Sequence, residues 1–297
     1  MKTAPNTELR QFKSSFDGTP QPFLLQAGEP GRPLVVHLHS WSARFNDSGG
    51  LEQLVHTCAA QGWSLCSPDF RGANDHPEAC ASPAALQDVL DAVKASKKEL
   101  SDLEGSVFLS GGSGGGHMGL CLSHFAPKSF SAVQVWNPIV DLPAWHRLHQ
   151  TRPTAYASML EQCCGGPPGA DPDVNTQYEL RSPIHFLEQA RGLPIQINLG
   201  IQDGHQGSVT IDHGLRAFDI LARSNGHPER QLGNRMIDFL TGEAALPEDL
   251  ISDPIEQGMR KHEILFRRQA GPVELLLFEG AHDSDLAGGI PWFKTHL

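Results

Sequence analysis

Short apolar runs alternate with amphipathic stretches along most of this 297-residue chain. Residues 33–39, 106–110 and 193–199 are apolar, only a few residues long and bounded by turn-forming residues, which is typical of buried strands. Between them, 84–95 carries leucine and valine at helical spacing behind a proline. Strands that alternate with helices predict an α/β protein, with a mostly parallel central sheet of about eight strands flanked by helices.

The remaining elements follow the same alternation, interrupted by two long insertions. A hairpin is predicted around the Asp17-Gly18 turn. Further strands are predicted at 63–67, 132–136 and 272–278, and further helices at 49–61, 114–125, 182–191 and 208–223. Insertions at 138–181 and 225–270 separate sheet elements, the second with helical patterns near 231–241 and 253–268. Such insertions often shape a substrate pocket, which we predict for 138–181, whereas a surface elaboration fits 225–270 equally well. We expect residues 1–297 to form one domain.

Composition narrows the class of protein. Hydrophobic residues make up 39% of the chain, enough for a substantial core, and net charge −11 argues against a nucleic-acid partner or an anionic membrane surface. No apolar run approaches the roughly 20 residues that cross a bilayer. No hydrophobic signal region follows Met1, so a cytoplasmic location is the default expectation. These properties favour a soluble enzyme or binding domain, and they are compatible with a homo-oligomer.

Six cysteines lie at positions 58, 66, 80, 121, 163 and 164 without CxxC spacing. We therefore predict buried, reduced thiols rather than a disulfide framework or a structural zinc site. His37 and His39 alternate on a predicted strand, and His282 precedes two aspartates, but no third metal ligand is placed by spacing. Neither a metal nor another cofactor is expected.

The sharpest local feature is the glycine-rich run 110–117. Gly111-Gly112-Ser113-Gly114-Gly115 fits G-x-S-x-G and lies between a predicted strand and a predicted helix, the context that a nucleophile elbow requires. The tight turn puts the serine in strained dihedrals, and glycines let neighbouring backbones pass closely. We predict Ser113 as a nucleophile and the Gly114 N–H as an oxyanion donor.

Three other interpretations compete for the same residues. Residues 114–119 fit G-x-G-x-x-G, but a dinucleotide fold needs an acidic residue after the next strand, and that strand ends Val135-Trp136-Asn137-Pro138. A P-loop is excluded because no Lys-Ser/Thr pair follows the glycines. A glycine turn without chemistry is the remaining alternative, and we prefer the elbow.

A serine nucleophile needs a base and an acid, expected in the order serine, acid, histidine. Asp203 follows the predicted strand 193–199, and His282 follows the last predicted strand, so both lie at the sheet edge that carries the elbow. We predict Asp203 as the acid and His282 as the base. The choice of His282 rests on its position after the last strand, because the chain has 15 histidines and any single one is a weak signal.

Several rivals stay open at this point. His117 and His205 are the nearest alternative histidines, although His117 suits packing beneath the elbow or lining the pocket, and His205 lies close behind Asp203. Asp283 and Asp285 are the alternative acids.

The second oxyanion donor is expected in the loop after His39. We predict the Trp41 backbone N–H, with that of Ser40 as second choice. The Trp41 indole, His117 and Trp145 are predicted to contact substrate.

Together these motifs resemble the α/β-hydrolases, specifically the prolyl oligopeptidase-like serine hydrolases and their esterase relatives. The matching pieces, in chain order, are Val35-Val36-His37-Leu38-His39, Ser67-Pro68-Asp69-Phe70-Arg71-Gly72, the motif around Ser113, Trp136-Asn137-Pro138-Ile139-Val140-Asp141-Leu142, Arg181-Ser182-Pro183 and Glu279-Gly280-Ala281-His282. The resemblance implies an α/β-hydrolase fold with Ser113, Asp203 and His282 as catalytic triad. Ser40 departs from the glycine that usually follows the histidine of the oxyanion loop.

The resemblance implies a serine hydrolase, for which two enzyme functions are considered besides one non-catalytic alternative. Peptidases of this type carry a large β-propeller ahead of the hydrolase domain, whereas only about 32 residues precede the central strand here. We therefore expect hydrolysis of a small carboxylic ester, such as an acetyl or feruloyl carbohydrate ester. A compact prolyl oligopeptidase-like peptidase is the alternative enzyme, and a non-catalytic binding protein on a hydrolase scaffold is the alternative from another class.

Overall fold

One mixed sheet forms the centre of the molecule in the computed structural model, which describes residues 7–47, 50–101, 105–258 and 260–297. Within these residues the sheet has nine strands in the order β1-β2-β4-β3-β5-β6-β7-β9-β8. The strands are Glu8–Lys13 (β1), Pro20–Gln26 (β2), Leu34–Leu38 (β3), Ser64–Pro68 (β4), Val107–Gly112 (β5), Ala132–Trp136 (β6), Ile195–Gly200 (β7), Ile264–Ala270 (β8) and Val273–Phe278 (β9).

The middle of the sheet is parallel and both of its ends are antiparallel. Parallel pairing joins β4, β3, β5, β6, β7 and β9, whereas β1 pairs antiparallel with β2, β2 with β4, and β8 with β9. The parallel strands are buried along their whole length because helices cover both faces. The predicted α/β class and mostly parallel sheet are confirmed.

The helices are Leu51–Ala60 (α1), Pro83–Glu99 (α2), Gly114–Phe125 (α3), Leu142–Gln150 (α4), Tyr156–Cys164 (α5), Pro172–Leu180 (α6), Asp212–Ser224 (α7), Asn234–Glu243 (α8) and Ile290–Lys294 (α9). Alternate side chains of the strands enter two hydrophobic cores, one on each face of the sheet. Val36 and Leu109 pack on one face with residues of α2, α3 and α7, whereas Val35 and Phe108 pack on the other with residues of α1 and α9. No helix of the described residues is both long and apolar enough to span a bilayer.

The first insertion, 138–181, folds into α4, α5 and α6 around an apolar cluster of its own. Trp145, Leu160, Cys163 and Tyr178 are buried there together with Trp41 from the loop after β3. All six cysteines of the chain are buried and free.

Two predicted helices are not helices of that length in the structure. The helical pattern near 253–268 is wrong, because the described residues before Ile264 form no helix and β8 begins there. Ile264 and Phe266 are buried while Arg267 is partly exposed, as in a half-buried edge strand. A run of apolar and charged residues this short fits the helical period and the strand period equally well. The helix predicted at 182–191 is two 3₁₀ turns, Pro183–His185 and Leu187–Ala190.

Two predicted helices begin later than expected. The helix predicted to begin at residue 208 begins at Asp212, because the preceding residues form a loop after β7. The start predicted at residue 49 lies outside the described residues, and α1 begins at Leu51.

Candidate active site

Ser113 lies on the sharp turn between β5 and α3, with φ 56° and ψ −117°. These are strained dihedrals for a residue with a side chain. Close backbone packing around the turn accounts for its glycines. A Cβ placed on Gly111 would lie 2.6 Å from the backbone of Gly115, and one on Gly115 would lie 2.0 Å from the carbonyl oxygen of Leu38. Both contacts are impossible, so this strand–turn–helix geometry requires the motif's glycines.

His282 and Asp203 meet above the carboxyl ends of β9 and β7. His282 Nδ1 and Asp203 Oδ2 are 2.6 Å apart, and Asp203 is almost completely buried. The other carboxylate oxygen, Oδ1, accepts the N–H groups of Gly204 at 2.9 Å and of Val209 at 3.2 Å. We call residues 203–209 the acid loop. Its two ends therefore hold the carboxylate that contacts the histidine.

Ser113 and His282 face the same open cavity, which has a volume of about 630 Å³. The cavity is lined by Ser40, Trp41, Ser42, Ala43, Asp47, Gly50, Gln53, Ser113, Tyr156, Lys261, His282, Asp283, Ser284 and Leu286. Most of the residues in this lining carry hydroxyl, amide or charged side chains. A substrate with several polar groups would find hydrogen-bond partners close to the serine.

The two predicted oxyanion donors are neighbours. A Cβ on Gly114 would lie 2.4 Å from the backbone nitrogen of Trp41, so the two backbones touch beside Ser113. Within the described part of the chain, neither of these N–H groups donates to another protein group. The Ser40 hydroxyl instead donates to the carbonyl oxygen of Gly112 at 3.3 Å. The Gly114 and Trp41 N–H groups are therefore available to one oxyanion.

Two predicted substrate contacts, His117 and Trp145, do not lie on the cavity. Both are completely buried. His117 Nε2 donates to the carbonyl oxygen of Arg181 at 2.7 Å, and burial lowers its pKa to about 4. Trp145 Nε1 donates to the carbonyl oxygen of Ser208 at 2.8 Å. His117 lies on α3, whose residues 114–123 are all buried, and Trp145 lies on the buried side of α4. Tyr156 is the aromatic residue of the insertion that lines the cavity.

The side chain and the backbone of Trp41 lie in different surroundings. The residue lines the cavity, yet it is only 1% exposed, and its ring packs edge-on against that of Trp145 at 4.7 Å between centroids. The ring thus packs into the core of the insertion, while the backbone lies beside Ser113.

The rival base and acids have other partners. The His205 ring donates to the carbonyl oxygen of Thr241 at 2.8 Å. Asp283 accepts from the ammonium of Lys261 and lies 2.9 Å from His262 Nε2. Asp285 accepts backbone N–H groups of Lys261 and Gly288 at 2.8 and 2.9 Å. Asp203 is the acid that the structure brings to His282.

The histidines considered as metal ligands have other contacts as well. His37 Nδ1 lies 2.9 Å from the Ser67 hydroxyl, and burial lowers the pKa of His37 to about 3. The ring of His39 stacks on Phe70 at 3.8 Å between centroids. Across the described ranges, no three His, Cys, Asp or Glu side chains are grouped to hold a metal ion.

Sequence reasoning missed a glycine that the site requires. A Cβ on Gly207 would lie 2.0 Å from Asp203 Oδ1 and 2.6 Å from the Cβ of His282. Any side chain there would collide with both members of the acid–base pair. The sole local signal is a glycine shortly after Asp203, and its importance depends on His282, which is distant in the chain.

The chain was compared with family models and with solved structures. No family model matches the chain. Solved structures that match include prolyl oligopeptidase B from Galerina marginata, with 17% identity, a TM-score of 0.59 and coverage of 75% of this chain and 32% of that one. Pyrococcus horikoshii acylaminoacyl peptidase matches with 14% identity, a TM-score of 0.57 and coverage of 74% and 35%. Puromycin hydrolase matches with 15% identity, a TM-score of 0.57 and coverage of 74% and 34%.

These likenesses define the fold of the molecule. The matched region is the α/β-hydrolase part of prolyl oligopeptidase-like enzymes, so this chain has the α/β-hydrolase fold that its motifs predicted. The resemblance to that group is confirmed at the level of the fold. The chain spans about a third of the length of the solved proteins it matches.

Proposed function

We propose that the protein is a serine hydrolase that uses Ser113, His282 and Asp203 for acyl transfer. The observation that carries the proposal is the cavity wall itself. Its lining includes both a serine with strained dihedrals and a histidine whose Nδ1 lies 2.6 Å from a buried carboxylate. The α/β-hydrolase fold supports the same reading, because such folds present the nucleophile on a strand-to-helix turn above the sheet.

The reaction has two halves. His282 Nε2 accepts the proton of Ser113 as Oγ attacks the carbonyl carbon, and the Gly114 and Trp41 N–H groups stabilise the oxyanion. The bond to the alcohol breaks, and the alcohol oxygen takes the proton from His282. A water molecule then gives its proton to His282 and cleaves the acyl-serine, which releases the acid and restores the Ser113 hydroxyl.

Asp203 acts through the histidine. By accepting a hydrogen bond from Nδ1–H it leaves Nε2 free as the base, and its negative charge stabilises the imidazolium that forms during each half-reaction. The bonds from Gly204 and Val209 hold one carboxylate oxygen, so the other is aimed at His282.

Carboxylic esters are the substrates we favour, with an acetyl or feruloyl carbohydrate ester as the most specific candidate. The hydroxyls of Ser40, Ser42, Tyr156 and Ser284 in the cavity lining support a polyhydroxylated substrate. A peptidase is the second candidate, because the similar solved structures bear the names prolyl oligopeptidase and acylaminoacyl peptidase.

A covalent probe tests the proposal directly. Intact mass after treatment with a fluorophosphonate is expected to increase by one adduct in the wild-type protein and to stay unchanged in Ser113→Ala. A folded wild-type protein that forms no adduct would exclude the serine hydrolase and favour a binding protein. Equal labelling of Ser113→Ala would place the nucleophile elsewhere.

Substrate class requires a second measurement. Turnover of p-nitrophenyl acetate and of acetylated and feruloylated sugars is compared with turnover of N-acyl amino-acid anilides, with Ser113→Ala as background. We expect ester cleavage to dominate. Cleavage of anilides alone would make the protein a peptidase.

A further inference from the structure

The acid loop is held from outside by side chains of the first insertion. Trp145 Nε1 and His149 Nε2 both lie 2.8 Å from the carbonyl oxygen of Ser208. Arg152 Nη1 donates to the carbonyl oxygen of Gly207 at 2.7 Å, and its Nη2 donates to that of Gly204. Three side chains from α4 and the turn after it therefore contact three carbonyl groups of one loop.

The surroundings of His149 and Trp145 fix the direction of their N–H groups. His149 Nδ1 lies 2.7 Å from the Thr154 hydroxyl, which can donate to it, so the ring proton stays on Nε2 and points at Ser208. Burial lowers the pKa of His149 and thereby favours this neutral form. The Trp145 indole is completely buried between the rings of Trp41 and Tyr156.

Arg152 makes the strongest of the three contacts. Its guanidinium bridges two carbonyl groups that lie three residues apart, and bonds from a charged donor are stronger than neutral ones. Within the described ranges Arg152 forms no ion pair with a carboxylate. Its partners are backbone carbonyls of the loop that orients Asp203.

We infer that Arg152, assisted by Trp145 and His149, is a positioning residue for the Asp203–His282 pair. Asp203 Oδ1 is held by the N–H groups at the two ends of the acid loop, so a shift of the carbonyls between them moves the carboxylate. This inference rests on the proposed hydrolase function. It assigns a catalytic purpose to the insertion at 138–181.

The test compares Arg152→Ala with a matched arginine variant on the helix that precedes it. Arg147 is exposed on α4, and Arg147→Ala serves as the control. With p-nitrophenyl acetate, Arg152→Ala is expected to lower kcat on the order of 10²-fold, the usual effect of a displacement of about 1 Å, with KM unchanged. Arg152→Lys is expected to regain part of the loss, and added guanidinium ion at low concentration is expected to restore part of it in Arg152→Ala.

A spectroscopic measurement separates positioning from general destabilisation. The proton between His282 Nδ1 and Asp203 is expected to give a far-downfield NMR resonance in the wild-type protein and in Arg147→Ala, and a shifted or broadened one in Arg152→Ala. An unchanged resonance together with an unchanged kcat would overturn the inference. So would a loss of kcat that neither lysine nor guanidinium ion restores while the resonance stays in place.

If Arg152→Ala does not fold, Trp145→Phe gives the test, because it removes one N–H donor from Ser208 and keeps a large ring. A kcat that equals the wild-type value in folded Trp145→Phe, with the resonance unchanged, overturns the inference. The proposed function fails separately, since it predicts fluorophosphonate labelling of the wild-type protein. A wild-type protein that is labelled, with Arg152→Ala labelled at the same rate, refutes only the positioning role.

Discussion

The elbow at Ser113 and the acid loop at 203–209 lie at the same edge of one sheet, yet they are held in different ways. Backbone contacts fix the elbow: the Ser113 N–H donates to Trp136 at 2.8 Å, and glycines let α3 approach β3. Side chains from a distant insertion fix the acid loop. Changes at the elbow should therefore damage the fold, whereas changes at the acid loop should damage the reaction.

The largest effect is expected at Gly115. Gly115→Ala would place a Cβ 2.0 Å from the carbonyl oxygen of Leu38, and neither backbone can yield. We expect a loss of more than about 4 kcal/mol in the free energy of unfolding, measured by urea denaturation. Gly242→Ala on α8 is the control, because nothing lies within 4 Å of the added Cβ. A helical Gly→Ala change of this kind typically stabilises by roughly 0.5–1 kcal/mol. Wild-type stability in Gly115→Ala would contradict the packing described for the elbow.

The acid itself should matter for rate and little for folding. Asp203→Asn is expected to lower kcat by about 10⁴-fold, because the histidine loses the acceptor that fixes its tautomer. Asp283→Asn, which changes partly exposed pairs with Lys261 and His262, should change kcat by less than about fivefold, the equivalent of 1 kcal/mol. Steady-state kinetics on an active ester gives both values. A larger loss in Asp283→Asn would make Asp283 the acid.

Gly207 sharpens the contrast between the two regions. Gly207→Ala inserts a Cβ into the space between Asp203 and His282, where only side chains stand in its way. We expect kcat to fall on the order of 10²-fold while most of the stability is retained, since the loop can move as the pair separates. Kinetics and urea denaturation of the same sample test this. Collapse of the fold comparable to that in Gly115→Ala would remove the distinction between elbow and acid loop.

The smallest expected effect is the pH dependence of stability that comes from His117, beneath the elbow. Burial lowers the pKa of His117 from 6.5 to about 4. Between these values the unfolded chain binds a proton that the folded protein excludes, so stability falls as pH falls from 6.5 towards 4. The slope from this residue is about 1.4 kcal/mol per pH unit at most.

Urea denaturation at several pH values measures the slope. His117→Gln keeps a donor for the carbonyl oxygen of Arg181 and cannot take up a proton, so the slope should decrease. His56→Gln, at a side chain 59% exposed, is the control and should leave the slope unchanged. An equal slope in wild type and His117→Gln would mean that other groups carry the pH dependence.

Local patterns were informative where the backbone itself sets the geometry. The elbow could be predicted at Ser113 because a strained turn between strand and helix demands glycines at fixed offsets. Asp203 and His282 could be proposed because the carboxyl ends of parallel strands meet at one edge. The structure brings Ser113 and His282 to the lining of one cavity, and Asp203 contacts His282.

Predictions failed where distant packing decides. Helical periodicity does not tell whether a face covers a core or a cavity, so Trp145 and His117 were expected to contact substrate and are buried instead. The run at 264–270 fits helix and strand alike, and its pairing with β9 decides between them. Neither outcome is encoded within a window of neighbouring residues.

The sequence by itself determined the α/β class, the order of the central elements and the residues that the strand ends present at one edge. Those follow from hydrophobic period and from the steric demands of glycine turns, which act over a few residues. Only the tertiary structure decided that Gly207 must lack a side chain, that Tyr156 rather than Trp145 lines the cavity and that Arg152 donates hydrogen bonds to the acid loop. Each of these depends on segments far apart in the chain coming within a few ångströms, which no local pattern specifies.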